Sequence, residues 1–266
     1  MAFRRLLRGR VPWETLDGVV REVVKRYDEP AARVDFLEAD NWLSTPMAVN
    51  DRWFVKVITQ QNSLVHALLT AGRNLGAFSS GTEGFFEHFG TPYQMAEHEL
   101  EATRTMRALG VNAPEPVEAF EYNNYGVLVL EYIPEFTVLD GLPGDAVETH
   151  ATTVFDFLHR MHDAGLAHGD FRGENVLVAD GDLYFIDATK VRDEAIDDAR
   201  SYDLACALGE LTPLIGARAA VDAATTHYTP AELLAARAFL DFVNIRPDHD
   251  FEAAGLKGEI EKLASG

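Results

Sequence analysis

Apolar residues recur along the chain with two different periods, which predict different elements. Short, mostly apolar runs predict strands at 53–58, 176–178 and 183–186. An Asp-Gly turn at 180–181 predicts that the second and third of these strands pair as a hairpin. Helical spacing, together with a threonine cap before proline in the last case, predicts helices at 94–109, at 146–164, from residue 201, and from Thr229 to about 243. The C-terminal part is therefore expected to be mostly helical.

The segment 168–175 carries the densest set of candidate chemical groups. It reads His-Gly-Asp-Phe-Arg-Gly-Glu-Asn, and its glycines permit the tight bends that turn Asp170 and Asn175 to one side. The predicted hairpin then returns the chain to Asp187, beside Asn175. One carboxylate can orient a hydroxyl group, while an amide and a second carboxylate suit magnesium, which prefers oxygen ligands. This spacing is that of a kinase catalytic loop and its metal-binding aspartate; the alternative is an acidic surface loop before an ordinary hairpin.

One lysine, Lys56, lies inside the apolar strand at 53–58. Burying its charge is costly unless a carboxylate or a phosphate neutralises it. The helix predicted at 94–109 offers Glu97, Glu99 and Glu101, of which the first and third share a face and the second points elsewhere. The pattern does not choose between these faces, and an edge-strand lysine that points to water is the alternative.

Taken together, these motifs resemble the RIO-type, atypical branch of the protein kinase-like superfamily. The chain is also similar to the KEOPS-complex kinase and, more distantly, to aminoglycoside-type phosphotransferases. In the loop, His-Gly-Asp followed by Ile-Asp in place of Asp-Phe-Gly separates this branch from ordinary protein kinases. The resemblance covers roughly 35–210 and is carried by 54–57, 107–111, 127–133, 168–175 and 184–187.

The resemblance implies an α+β, bilobal protein kinase-like fold. Its N-lobe is expected to be an antiparallel sheet with one helix, and its C-lobe to be compact and mostly helical. The expected segments are an N-terminal helical extension at 1–33, the kinase N-lobe at 34–130, and the hinge with the C-lobe at 131–266.

The resemblance also implies roles for residues of the N-lobe and the hinge. Lys56 would contact the α- and β-phosphates of ATP and pair with Glu99, with Glu101 as the second choice. Glu131 and Ile133 would offer backbone hydrogen bonds to adenine.

For the C-lobe, the resemblance implies that Asp170 orients the acceptor hydroxyl or a water molecule. Asn175 and Asp187 would bind Mg²⁺, and Asp187 is also a candidate to carry phosphate covalently. Asp203 would support the backbone of the catalytic loop, with a helix N-cap as the simpler interpretation.

Two stretches depart from the family pattern or extend it. Residues 36–50, where a glycine-rich phosphate loop is expected, contain no glycine, so Ser44 and Thr45 are the candidate donors to phosphate. The connection at 60–92 is long, and the resemblance makes Ser79, Ser80 and Thr82 candidates for self-phosphorylation. The alternative is a plain insertion that packs on the N-lobe.

The composition is strongly acidic, with 43 Asp and Glu against 23 Lys and Arg, a formal net charge of −20 and a pI of about 4.7. Such self-repulsion is best tolerated where salt screens it, so a salt-adapted cytoplasm, as in halophilic archaea, is expected. An ordinary acidic protein is the alternative. The charge argues against tight nonspecific nucleic-acid binding.

No apolar stretch reaches transmembrane length, no secretory signal is evident, and one cysteine excludes an internal disulfide.

The function predicted from these observations is a Mg²⁺-dependent ATP phosphotransferase or ATPase of RIO type. It would act on protein Ser or Thr or on itself, in the cytoplasm, and ribosome maturation on a pre-ribosomal particle is the process that the resemblance raises. Two alternatives stay open, a small-molecule, aminoglycoside-like phosphotransferase and a nucleotide-binding pseudokinase scaffold. A basic pocket beside Asp170 would favour protein or nucleic-acid partners, and an acidic pocket would favour aminoglycoside-like cations.

Overall fold

The structure is a computed structural model that describes residues 11–37, 44–59, 90–188, 196–246 and 249–265. These residues divide into two compact units. The first unit contains 11–37, 44–59, 90–104 and 114–134, and the second contains 105–113, 135–188, 196–246 and 249–265. The three segments predicted from the sequence, with boundaries at 33 and 130, stay a prediction.

The first unit is built on one five-stranded antiparallel sheet with the strand order β1-β2-β3-β5-β4. Residues 105–108 of its second helix count with the other unit. In chain order its elements are α1 (Trp13–Arg26), β1 (Val34–Phe36), β2 (Thr45–Val49), β3 (Trp53–Ile58), α2 (Pro92–Ala108), β4 (Pro116–Tyr122) and β5 (Tyr125–Glu131).

Among the described residues, one helix covers each face of this sheet, because successive strand residues point to opposite faces. On one face, α1 packs through Leu16, Val19, Val20 and Val23 against Val55, Val57, Val127 and Val129. On the other, α2 packs through Met95, Ala96 and Leu100 against Phe54, Ile58, Leu128 and Leu130. The sequence analysis expected one helix with this sheet. The structure adds α1, which lies in the segment expected to be an N-terminal extension.

The second unit joins a small antiparallel sheet, in the order β6-β7-β8, to a set of helices. Its helices and strands, in chain order, are β6 (Thr137–Val138), α3 (Gly144–Asp163), β7 (Val176–Ala179), β8 (Asp182–Phe185), α4 (Ile196–Ile215), α5 (Ala217–Ala224), α6 (Pro230–Arg237), α7 (Leu240–Ile245) and α8 (Ala253–Ser265). Short 3₁₀ turns occur at Leu139–Gly141 and Gly173–Asn175. The predicted hairpin is β7-β8. Within the described ranges, no helix combines the length and apolar character needed to span a bilayer.

Two helix predictions in this unit need correction. The helix expected from residue 201 is α4, which begins earlier, at Ile196, with Asp197 and Asp198 in its first turn, where the helix dipole favours acidic residues. The helix expected from Thr229 to about 243 is two helices, α6 and α7. Its first part ends because the N–H groups of Ala238 and Phe239 bond carbonyls three residues back, which tightens the turn. The cap at Thr229 is confirmed as a capping box with Glu232.

Candidate active site

In the first unit, Lys56 and Glu99 form a buried ion pair. The Nζ atom of Lys56 lies 2.9 Å from each carboxylate oxygen of Glu99, and the two residues are only 4% and 9% exposed. Lys56 alternates with the residues of β3 that face α1, so it points to the α2 side of the sheet. Glu99 is four residues after Met95 on α2 and therefore shares the helix face that packs on this side.

The other two candidate glutamates on α2 have different neighbours. Glu97 accepts a hydrogen bond from the hydroxyl of Tyr93, and Glu101 lies 3.4 Å from Arg104. The face that the sequence pattern left undecided is therefore the one carrying Glu99. The sequence signal that distinguishes Glu99 from Glu97 and Glu101 is its position on the same helix face as Met95 and Ala96.

The other candidate nucleotide-binding residues of the first unit lie at the ends of two strands. Ser44 precedes β2, is 3% exposed, and its Oγ atom has no hydrogen-bond partner among the described residues. Thr45 begins β2 opposite Val57. Glu131 ends β5, where its N–H donates to the carbonyl of Glu115 at 2.9 Å, and Ile133 follows it, half-buried. The buried hydroxyl of Ser44 is suited to donate a hydrogen bond to a phosphate oxygen.

In the second unit, one carboxylate on α4 holds the start of the catalytic loop. Asp203 is fully buried and accepts hydrogen bonds from the backbone N–H groups of His168 at 2.5 Å and Gly169 at 2.8 Å. Its Oδ2 also accepts from Nε2 of His162, whose Nδ1 lies 2.8 Å from the hydroxyl of Tyr228. Asp203 lies inside α4, so the interpretation as a helix N-cap is wrong.

The same loop brings Asn175 and Asp187 together. The Asn175 side-chain amide donates to the carbonyl of Asp170 at 2.8 Å, which leaves its Oδ1 as the atom suited to a cation. The N–H of Ile186 donates to the backbone carbonyl of Asn175 at 3.1 Å, so the next residue, Asp187, lies beside Asn175. Asp187 has φ = 61°, a left-handed conformation that non-glycine residues rarely adopt and that is enriched at functional sites.

His168, Phe171 and Phe185 form a buried cluster of rings under the loop 168–175. The His168 ring contacts the rings of Phe171 and Phe185 edge-on, at 5.6 and 5.7 Å between centroids. Neither of its ring nitrogens has a hydrogen-bond partner among the described residues. Burial lowers the pKa of His168, so this side chain is neutral and acts as part of the core.

Two arginines hold the Asp170 carboxylate. Arg172, on the same loop, lies 3.0 Å from Oδ2 and also pairs with Glu174. Arg246, which directly follows α7, donates from Nη2 to Oδ1 at 2.9 Å. Sequence analysis did not identify Arg246, because no local pattern connects it with a residue 76 positions earlier.

A second carboxylate of α4, Glu210, was also missed by sequence analysis. It lies seven residues, about two helical turns, after Asp203 and accepts a hydrogen bond from the N–H of Gly173. A Cβ atom at Gly173 would lie 2.6 Å from Glu210 Oε1 and from Asp140 Cβ, which explains glycine there. Burial raises the pKa of Glu210 to about 7. Helix α4 therefore holds the catalytic loop at both ends.

The residues of the loop fit the magnesium ion that the motif implies. One amide oxygen and one carboxylate are hard oxygen donors, and Mg²⁺ usually keeps several water ligands beside one or two protein groups. In the part of the chain that the structure describes, no group of three or more His, Cys, Asp or Glu side chains is arranged to hold a metal. Ser79, Ser80 and Thr82 lie outside the described residues.

Comparison with known proteins gives three matches. Residues 90–202 match the family model of the RIO domain. Over 109 residues the chain is 28% identical to the KEOPS complex subunit Bud32 of Pyrococcus abyssi (strain GE5 / Orsay), and the match covers 40% of this chain and 49% of that protein. The chain thus matches about half the length of that relative. It is also similar to the crystal structure of an aminoglycoside-3'-phosphotransferase of type VIII, with a TM-score of 0.51 and 16% identity over 85% of this chain and 97% of that one.

These matches confirm the resemblance to RIO-type, protein kinase-like proteins. The structural neighbour confirms the kinase-like fold class, with an antiparallel N-terminal sheet and a helical C-terminal part. At the level of class, the matches support an atypical kinase or phosphotransferase.

Proposed function

We propose that the protein is a Mg²⁺-dependent ATP phosphotransferase or ATPase of RIO type. The observation that carries the proposal is the joint presence of a buried Lys56–Glu99 pair and a loop with Asp170, Asn175 and Asp187. A protein that only served as a scaffold would have no chemical need for all five groups. The pseudokinase alternative rests on the missing glycines at 36–50, and the buried hydroxyl of Ser44 offers a substitute donor.

In this proposal the groups of the first unit bind the nucleotide. Lys56 contacts the α- and β-phosphates, and Glu99 fixes its ammonium group so that no side-chain freedom is lost when ATP binds. Ser44 and Thr45 donate to phosphate oxygens, and the backbone at Glu131 and Ile133 binds adenine. The roles of Lys56, Glu99, Glu131 and Ile133 are those expected from the family motif, whereas Ser44 and Thr45 would replace the glycine-rich loop that residues 36–50 lack.

The groups of the second unit carry the transfer step. Asn175 and Asp187 hold Mg²⁺, which when bound neutralises charge on the phosphates. Asp170 accepts a hydrogen bond from the acceptor, a protein Ser or Thr hydroxyl or a water molecule, and so aligns its oxygen for attack. Phosphoryl transfer needs mainly this positioning and electrostatic stabilisation, since its transition state is loose.

The neighbours of Asp170 bear on the choice of acceptor. Two guanidinium groups lie within 3.0 Å of its carboxylate, and the carboxylates of Asp170 and Glu174 offset their charge. Local charge therefore does not separate a protein acceptor from a cationic small molecule, and the choice of a protein acceptor or the protein itself rests on the RIO-type resemblance. The KEOPS name of one relative and the family resemblance add partner proteins and a pre-ribosomal particle to the proposal, in a salt-adapted cytoplasm.

The test is turnover of γ-labelled ATP with Mg²⁺ at molar potassium chloride. We expect wild type to release phosphate or label itself, and Asp170→Ala and Asp187→Asn to lose about 100-fold or more of this activity. Asp182→Asn, at an exposed carboxylate of β8, is the matched control and should remain active. Label that hydroxylamine removes would identify an aspartyl phosphate. No turnover by wild type, with ATP binding retained, would instead support the pseudokinase.

A further inference from the structure

We propose that Arg246 is a positioning residue that fixes the carboxylate of Asp170 for the transfer step. The inference rests on the proposed function, in which Asp170 orients the acceptor. It adds a residue that no motif contains and that lies outside the segment matched by the RIO domain.

The contact between the two side chains is direct and sheltered. Arg246 donates from Nη2 to Oδ1 of Asp170 at 2.9 Å, and its side chain is 14% exposed while that of Asp170 is 26% exposed. Arg172 lies beside the other oxygen, Oδ2. With a cation at each oxygen, the carboxylate plane cannot rotate without losing one of two charge-assisted contacts.

Arg246 is itself held by α4. Its Nη1 donates to the hydroxyl of Tyr202, which is fully buried, and lies 3.9 Å from Sγ of Cys206. The next residue of the helix after Tyr202 is Asp203, which binds the loop backbone. One turn of α4 therefore fixes the backbone of the loop directly and the Asp170 carboxylate through Arg246.

The contact with Arg246 leaves lone pairs of the Asp170 carboxylate available for the acceptor. Each carboxylate oxygen has two lone-pair sites, so Asp170 can accept a hydrogen bond from an acceptor hydroxyl while it keeps both arginines. Arg246 would then stay in place during turnover and determine the direction in which the remaining lone pairs point. Its removal should slow the step that needs alignment and leave nucleotide binding unchanged, because misplacement by about 1 Å can reduce a rate about 100-fold.

The test compares Arg246→Ala, Arg246→Lys and Tyr202→Phe in steady-state ATP turnover. We expect Arg246→Ala to reduce kcat about 10- to 100-fold and to change KM for ATP less than about 2-fold. Lysine keeps the charge but not the planar fork, so Arg246→Lys should recover part of the loss. Tyr202→Phe, which removes only the hydroxyl that holds Arg246, should give a smaller loss in kcat.

The matched control is Arg200→Ala. Arg200 is also a partly buried arginine of this unit, 26% exposed, and its Nη2 lies 3.2 Å from Glu232, yet it has no contact with Asp170 in the described structure. It should leave kcat within about 2-fold of wild type. An unchanged or higher kcat in Arg246→Ala, an equal loss in Arg200→Ala, or a loss confined to KM would overturn the positioning role.

A second readout does not depend on activity. Cys206 is the only cysteine of the chain, is fully buried, and lies beside the Arg246 side chain. A buried thiol reacts with a disulfide reagent only through local opening, so Arg246→Ala should react about 10-fold faster than wild type, and Arg200→Ala should not. Equal thiol reactivity in all three proteins would overturn the contact. Absence of turnover in wild type would contradict the proposed function and therefore also a role of the Arg246–Asp170 contact in catalysis.

Discussion

The Lys56 ammonium and the Asp170 carboxylate are both held by opposite charges, but their surroundings differ. Lys56 pairs with the carboxylate of Glu99, and the pair is almost completely buried between a strand and a helix. Asp170 has two arginine partners and remains 26% exposed. The Lys56 pair depends on one neighbouring helix, and the Asp170 cluster on a local residue together with a distant one.

The difference separates two physical demands. A buried pair must stay neutral as a whole, since either charge alone would be strongly destabilising in a medium of low polarity. A partly exposed carboxylate that contacts a substrate must be accessible, so water stabilises its charge and the arginines mainly fix its direction. We therefore expect the first site to be sensitive in stability and the second to be sensitive in rate.

The largest expected effect on stability comes from breaking the buried pair. Lys56→Met should lower the free energy of unfolding of the first unit by about 3–5 kcal/mol, because Glu99 is left buried and charged. The double variant with Glu99→Leu should recover most of this loss. Urea unfolding followed by the fluorescence of the chain's three tryptophans, of which Trp53 is buried in this unit, measures both values.

The control for this experiment is Arg21→Ala, which breaks an exposed pair with Asp17 on α1. It should cost less than about 1 kcal/mol. If Lys56→Met and Arg21→Ala were equally mild, the Lys56 site would not differ from a surface pair, and the comparison with Asp170 would lose its basis.

A smaller effect is expected from Glu210, a mostly buried carboxylate of the second unit. Its pKa is raised to about 7, so between about pH 4.5 and 7 the folded state keeps a proton that the unfolded state releases. This contribution to stability is fully present below about pH 4.5 and is lost as the pH rises through about 7. Glu210→Gln should therefore gain stability relative to wild type by about 1–3 kcal/mol between pH 5 and pH 8.

The measurement is urea unfolding followed by circular dichroism at several pH values. The side chains that face Glu210 are His249, 3.5 Å from Oε2, and Asp140, Arg172 and Glu174. Glu232→Gln is the control, because the pKa of Glu232 is shifted in the opposite direction to that of Glu210. Burial opposes its ionisation, but hydrogen bonds from Thr229 and the charge of Arg200 lower its pKa, so its contribution disappears as the pH falls. A Glu210→Gln difference that is flat with pH would contradict the prediction.

The smallest effect is expected at a site fixed by neighbouring residues alone. Thr229→Ala removes the capping box at the start of α6 and should cost about 1 kcal/mol. Amide hydrogen exchange at Glu232 and Leu233 would report the loss locally. Thr225→Ala, whose hydroxyl only donates to the carbonyl of Asp222, should change less, and a loss above that of Lys56→Met would show that local capping outweighs the buried pair.

Many of the helices and strands, and the spacing of the polar groups in the loop 168–175, were predictable because they follow local rules. The apolar strand at 53–58 indicated that the charge of Lys56 needs a carboxylate or phosphate partner, and the tight loop with its hairpin indicated that Asp187 returns to Asn175. Thr229 followed by proline predicted a helix start. Each of these inferences spans few residues, and the chain between them has little freedom.

The rest depends on contacts between distant parts of the chain. Arg246, which follows α7, and Glu210, on α4, contact the loop 168–175 because of how the core of the second unit packs, and nothing near either residue in the sequence indicates these contacts. The break between α6 and α7 is also a packing outcome, since the apolar pattern continues across it. A helical extension was predicted at 1–33, but the packing of α1 on the sheet was not, because it depends on strands that come later in the chain.

The position of α1 affects how the chain is made. Its apolar face needs Val127 and Val129 of β5 as partners, and these residues leave the synthesis machinery about 100 residues later, roughly 5–20 s at ordinary elongation rates. During that interval α1 can cover only the β1-β2-β3 part of the sheet, so part of its apolar face stays exposed and is prone to association with other chains. We expect a chaperone that binds apolar helix faces to bind α1 in this interval.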